Sequence, residues 1–155
     1  MTISARLSLC TLSLGAALSL PAGGPGSRAT YAGGTVATLT AHAQGVIETT
    51  GEESLLFYTK RTRIEVPYEK INLLEYGQKA SRRFALAIVV SPLLLLSKKR
   101  KHYLTVGYTD DEGHQQAIVF QLDKNNVRVV LASLEAKTGR KVQYQDNEAR
   151  KAGKG

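Results

Sequence analysis

From Gln44 onward the chain alternates between short runs of β-branched, aromatic and aliphatic residues and clusters of turn formers. That is the pattern of half-buried strands. Residues 45–49, 54–59, 63–66 and 71–76 carry it, with Thr50-Gly51 and Pro67-Tyr68 as punctuation, and they predict a four-stranded antiparallel meander. Residues 103–108 and 116–122 alternate again around Thr109-Asp110-Asp111-Glu112-Gly113, which predicts a hairpin. Val127, Val130, Leu131 and Leu134 then recur at helical spacing, with Asp123 or Asn126 as cap and Gly139 as stop. This predicts a helix over 126–138 whose single apolar stripe docks on the sheet. Val142 and Tyr144 add a last contact, and 145–155 reads as a basic, mobile tail.

The loudest departure from this pattern is the run FALAIVVSPLLLL at 84–96, thirteen residues without a charge. Arg82 and Arg83 precede it; Lys98, Lys99, Arg100 and Lys101 follow. As one helix it would rise ~20 Å, against ~30 Å of bilayer hydrocarbon, so it is too short to span. Ser91-Pro92 breaks it further, because Pro92 lacks an N–H and disfavours helix at Ser91; two short pieces, as in a helical hairpin or kinked wedge, fit better than a rod. Two readings stand side by side. The run is a buried piece of a soluble core, or it is a surface that dips into one leaflet while long basic stems reach anionic headgroups. The contact residues in the second reading are Phe84, Leu86, Ile88, Val89, Leu93, Leu94, Leu95 and Leu96, with Arg82, Arg83, Lys98, Lys99, Arg100 and Lys101 at the headgroups.

The first 22 residues have the layout of a secretory signal: Arg6, an apolar stretch over 7–20, then Pro21-Ala22. Ala41-His42-Ala43 before Gln44 matches the small-x-small cleavage rule better but lies far beyond the apolar stretch. Cleavage after Ala22 followed by a Gly/Pro/Ser/Thr-rich linker over 23–43 is one resolution; a translation start elsewhere is the other, and it would make the protein cytoplasmic. The expected organisation is thus leader 1–22, linker 23–43, domain 44–144 with its insert at 82–101, and tail 145–155.

Charge adds a partner class. Lys and Arg outnumber Asp and Glu by 21 to 13, a net +8, concentrated at 98–101, 60–63 and the C-terminal end, which suits an anionic partner. The only cysteine, Cys10, lies in the leader, so the domain has neither a disulfide nor a cysteine metal site. The three acids of the 109–113 turn lack the spaced ligands of a calcium loop. The histidines are scattered at 42, 102 and 114; His102, beside the basic run, is the one placed to respond to pH. No nucleophile with its base, paired carboxylates or phosphate loop emerges. A non-enzyme without metal or cofactor is the expectation.

Residues 64–71, Ile-Glu-Val-Pro-Tyr-Glu-Lys-Ile, form a strand ending in Pro-Tyr that leads straight into the next strand. Together with the closing helix at 126–138, they resemble the bacterial pleckstrin-homology-like domains over about 44–144. The resemblance implies a mainly β fold with α: a bent antiparallel sandwich or partly open barrel closed by the C-terminal amphipathic helix. It also implies a binding or scaffolding role at membranes. The expected function is therefore an exported or envelope-associated peripheral module that binds anionic lipid or a membrane protein through the insert. The alternative is a soluble interaction domain whose insert meets a partner or a second copy. Nucleic acid ranks last, since only Tyr103 is interleaved with the main basic run.

Overall fold

The computed structural model describes residues 26–78, 89–90 and 101–154. The chain is mainly β. It runs β1 (Ser27–Gly34), β2 (Gln44–Glu48), β3 (Ser54–Tyr58), β4 (Arg63–Pro67), a 3-10 turn (Tyr68–Lys70), β5 (Ile71–Gly77), β6 (Val89–Val90), β7 (His102–Thr109), β8 (Gln115–Leu122), α1 (Val127–Thr138), β9 (Gln143–Tyr144) and α2 (Asn147–Lys154). The strands form one open mixed sheet in the order β4-β3-β2-β1-β8-β7-β5-β9, with β6 also paired to β1. All pairs are antiparallel except β5 with β9.

The first correction concerns β1. Its sequence, SRATYAGG, falls in the stretch expected to be a linker, yet it lies in the middle of the sheet between β2 and β8. Ala29, Tyr31 and Ala32 are buried. Small residues fit because neighbours approach closely: a Cβ on Gly34 would run into the Ala117 carbonyl oxygen, a clash glycine avoids. The strand also carries a bulge between Tyr31 and Gly33, which breaks the alternation that a sequence scan detects.

The second correction is the meander. β2, β3 and β4 pair consecutively, but β5 leaves β4 and pairs with β7 across the chain. Pro67-Tyr68 is the hinge: the 3-10 turn redirects the backbone, Tyr68 drops into the core at 4% exposure, and its N–H donates to the Glu53 carbonyl at 2.9 Å.

The inner face of the sheet and both helices share one core. Phe57 and Phe120 meet at 4.9 Å between ring centroids. Val127, Val130, Leu131 and Leu134 of α1 join them, as the helical spacing requires. Ser133 Oγ donates to the Thr49 carbonyl at 3.1 Å and Lys137 pairs with Glu52 at 2.7 Å, tying α1 to the β2–β3 turn. Asn126 makes no side-chain cap, whereas Gly139 takes the left-handed conformation (φ 66°) and closes the helix onto Glu135, the role for which glycine is suited.

The third correction is the tail. Asn147–Lys154 is a helix, with the Asp146 carboxylate accepting the Ala149 N–H at 2.7 Å. Ala149 is fully buried. The docking surface is built from Ala149 and Gly153, too small to register as an apolar stripe.

Candidate functional site

Gly77 at the end of β5 lies directly opposite Tyr103 near the start of β7. The segment between them, which contains the apolar run, therefore leaves and re-enters the sheet at adjacent strands. Val89 and Val90 of that run pair with Gly34 and Gly33. They form a strand at a point where a helical hairpin or wedge was expected. Phe84, Leu86, Ile88, Leu93, Leu94, Leu95 and Leu96, with Arg82, Arg83, Lys98, Lys99 and Arg100, lie outside the described residues. Lys101 is described and stands half-buried just before β7.

An aromatic cluster that the sequence pattern did not reveal lies where β5, β7 and β9 come together. Tyr76, fully buried, places its hydroxyl 2.5 Å from His102 Nδ1, and the two rings lie nearly parallel at 6.1 Å. Tyr144 meets Tyr76 edge-on at 6.0 Å, and Lys154 stands over the Tyr144 ring at 5.7 Å. Burial pushes the Tyr76 phenol up to about 12, so it keeps its proton in the hydrogen bond it shares with His102. Gln145 completes the stem: its side chain fills the space a Cβ on Gly77 would need, and its amide donates to buried Glu75 at 3.0 Å.

His102 is held below the ordinary histidine range, first by burial and then by the Lys124 charge. With the folded-state pKa depressed, the unfolded chain binds the proton first as pH falls. The contribution of His102 to stability is therefore full above the unfolded value, ~6.5, and is lost as pH drops through the folded one. Urea unfolding should show a lower midpoint at pH about 5 than at about 7.5, and His102→Asn should shrink that difference. An unchanged difference in the variant would assign the acid sensitivity elsewhere.

Other polar groupings serve the scaffold. Asp110, Glu112 and His114 gather in the β7–β8 turn, with ligand-type atoms within 4.8 Å of one another. The Asp110 carboxylate already accepts the Gln116 amide at 2.7 Å and the N–H groups of His114 and Glu112 at 2.7 and 3.1 Å. These bonds, that from Gln116 foremost, hold its carboxyl below the usual carboxylate range, and they shape the turn. A cleft of about 700 Å³ opens beside Arg28, Thr30, Gln44, Lys60, Gln121 and Asp123. Its Arg28–Asp123 pair, at 3.4 Å, is exposed on both sides and adds little to stability. A second cleft, about 610 Å³, is acidic, lined by Glu52, Glu53, Glu65 and Glu69 around Lys137. Two charged residues of α1 are engaged: Glu135 accepts the Val142 N–H at 2.8 Å and Lys137 pairs with Glu52.

No helix among the described residues is long and apolar enough to cross a membrane. No protein-family model matches the chain, and no curated protein matches it in sequence.

Proposed function

We propose that this chain is a non-enzymatic binding or scaffolding module that works at a membrane surface, exported or in the cell envelope. Its contact is the apolar run at 84–96 with the basic residues on either side. The observation that carries the reading is the β5–β7 clamp: Gly77 and Tyr103 are paired, so the segment that contains the run starts and ends on adjacent strands of one sheet. Half-buried Lys101 and exposed Lys124 are near neighbours of His102 in the chain or in space, cations suited to anionic headgroups. Energetically the contact is sufficient. Five large apolar side chains contribute roughly 7–15 kcal/mol on leaving water, at ~1.5–3 kcal/mol each, before the costs of ordering.

The pleckstrin-homology-like reading of the fold belongs to the same proposal. Its support is a sheet order in which one meander, β2 to β4, and a second group, β5, β7 and β8, are joined through β1. An amphipathic helix follows the last long strand and sends its stripe into the core.

One observation favours the second reading, a soluble interaction domain that uses the insert as a dimer or partner interface. Val89–Val90 engages backbone groups of the chain's own sheet, so part of the run is tied to protein.

Flotation with vesicles containing anionic lipid tests the proposal. The wild-type chain is expected to float, and a variant carrying Leu93→Ser, Leu94→Ser and Leu95→Ser to stay at the bottom with an unchanged unfolding midpoint. A wild-type chain that stays down as a stable oligomer would replace the membrane reading by the second one.

A further inference from the structure

The basic run at 60–63, which the proposed membrane contact does not use, is carried by the fold to the outer face of β1, β2 and β3. Register decides which side chains stand there. Ala29, Ile47 and Phe57 point into the core, so their neighbours Arg28, Thr30, Val46 and Tyr58 point outward. Arg28 is paired with Val46 and Val46 with Tyr58, while Thr30 is paired with both Gln44 and Gln121. Together with Lys60 of the β3–β4 turn these residues line the cleft of about 700 Å³, a size typical of small-ligand sites.

The polar groups of this cleft are not consumed by the fold. Lys60 is exposed, and among the described residues neither it nor the side chains of Thr30, Gln44 and Gln121 have a hydrogen-bond or ion-pair partner. Arg28 meets the Asp123 carboxylate through Nε at 3.4 Å in an exposed pair, and such pairs contribute little to stability. Its terminal guanidinium nitrogens donate no hydrogen bond among the described residues. The turn that carries Lys60 is fixed: Thr59 Oγ1 donates to the Thr62 carbonyl at 3.1 Å and accepts the N–H groups of Arg61 and Thr62 at 3.2 and 2.8 Å. Arg63, by contrast, is committed elsewhere, lying over the Tyr58 ring at 5.6 Å and pairing with Glu65 at 3.0 Å.

We infer that this cleft is a binding site for a phosphoryl anion, the phosphate group of a monoester. Charge selects the sign of the ligand, because Arg28 and Lys60 face the single carboxylate of Asp123 and leave the cleft net positive. Placement selects a compact anion. Arg28 is on β1 and Lys60 just past β3, two strand spacings apart, ~10 Å at ~4.8 Å each, a gap that two long side chains close from opposite sides. The guanidinium offers a fork and the ammonium a point charge. Donor number selects the group: a carboxylate has two oxygens and is satisfied by one guanidinium fork, whereas a phosphoryl group brings three strong acceptors, for which the Thr30 hydroxyl and the Gln44 and Gln121 amides supply further donors. The cleft is larger than a phosphate, and the rest of the ester has room beside Tyr58. No residue of the run at 84–96 takes part, so the site stands apart from the membrane reading. The same phosphoryl group occurs on a soluble ester and on a lipid headgroup.

The test titrates the nitrogen-15-labelled full chain with glycerol 3-phosphate at pH about 7.5, where the monoester is largely dianionic. Saturable shifts of the Thr30, Gln44 and Lys60 amide signals are expected. Arg28→Gln and Lys60→Gln should each weaken binding about tenfold, the loss of one charged hydrogen-bonding partner, with the melting temperature unchanged because both side chains are exposed. Asp123→Asn, which removes the competing carboxylate, should tighten it. Arg140→Gln, the same charge change on an exposed residue after α1, should alter it by less than about twofold, since distant surface charges are screened. A second arm uses phosphatidylcholine vesicles with and without phosphatidic acid. Binding to glycerol 3-phosphate places the phosphoryl group on a soluble ester; binding to phosphatidic acid vesicles alone, lost in Arg28→Gln and Lys60→Gln, places it on a lipid. Absence of saturable binding to both probes, or an equal loss in the Arg140→Gln control, would overturn the inference.

Discussion

A chain that starts at Gln44 is expected not to fold. It would lack β1, which pairs with β2 over Ser27–Thr30 and with β8 over Ala29–Gly34. Its loss would leave two unpaired strand edges and remove Ala29, Tyr31 and Ala32 from the interior. β1 is also the link between the β2–β4 meander and the β8–β7–β5 group, so its removal separates the core into halves with no shared strand. Exposed edges of this kind aggregate. Circular dichroism should show no cooperative melt for residues 44–155, whereas residues 23–155 should melt in a single transition like the full chain. A cooperative melt of the shorter chain would refute the central place of β1. Cleavage after Ala43 would produce this shorter chain, so the experiment also shows which of the two small-residue signals is compatible with a folded product.

The second large effect is Phe120→Ala. Phe120 is fully buried, sits in the row of Leu104 and Tyr31, and packs on Phe57 at 4.9 Å. Truncation removes the ring and leaves a cavity in a crowded place, a cost of about 3–5 kcal/mol. Domains of this kind have about 5–15 kcal/mol of stability in all. The melting temperature should fall by about 10–20 °C. Val129→Ala is the matched control: Val129 on α1 is 67% exposed, and its loss should move stability by no more than about 0.5 kcal/mol. A small effect at Phe120 would mean that the inner face is not the tightly packed core that the register describes.

Both predictions rest on β1, and β1 shows why part of this fold was hard to read. Strands such as Ser54–Tyr58 and Gln115–Leu122 declare themselves through large apolar side chains. Gly33, Gly34 and three small or polar neighbours of Tyr31 do not, although the structure buries β1 more completely than β2 or β4. The same blindness hid α2, whose docking residues are Ala149 and Gly153. Hydropathy weighs side chains by what they carry, and tight approach selects residues that carry almost nothing.

The candidate site divides in a similar way. The apolar run and its basic flanks were evident as composition. That the strands flanking it pair at Gly77 and Tyr103, and that Val89–Val90 adds a strand beside β1, came from pairings between residues far apart in the chain. His102 was singled out for its place next to four basic residues, and its actual partner is Tyr76, twenty-six positions earlier.

What the sequence determined by itself is the kind of several elements: the strands β3, β7 and β8, the helical stripe of α1 and the glycine stop at 139. Each of these is a local matter, fixed by backbone geometry with a period of two or 3.6 residues. What only the tertiary structure decided is adjacency: β5 beside β7 and not β4, β1 between β2 and β8, and Tyr76 beneath His102. Every strand offers the same backbone donors and acceptors to any neighbour. The choice of partner is therefore made by how the buried faces fill one shared interior, and no stretch of sequence records that on its own.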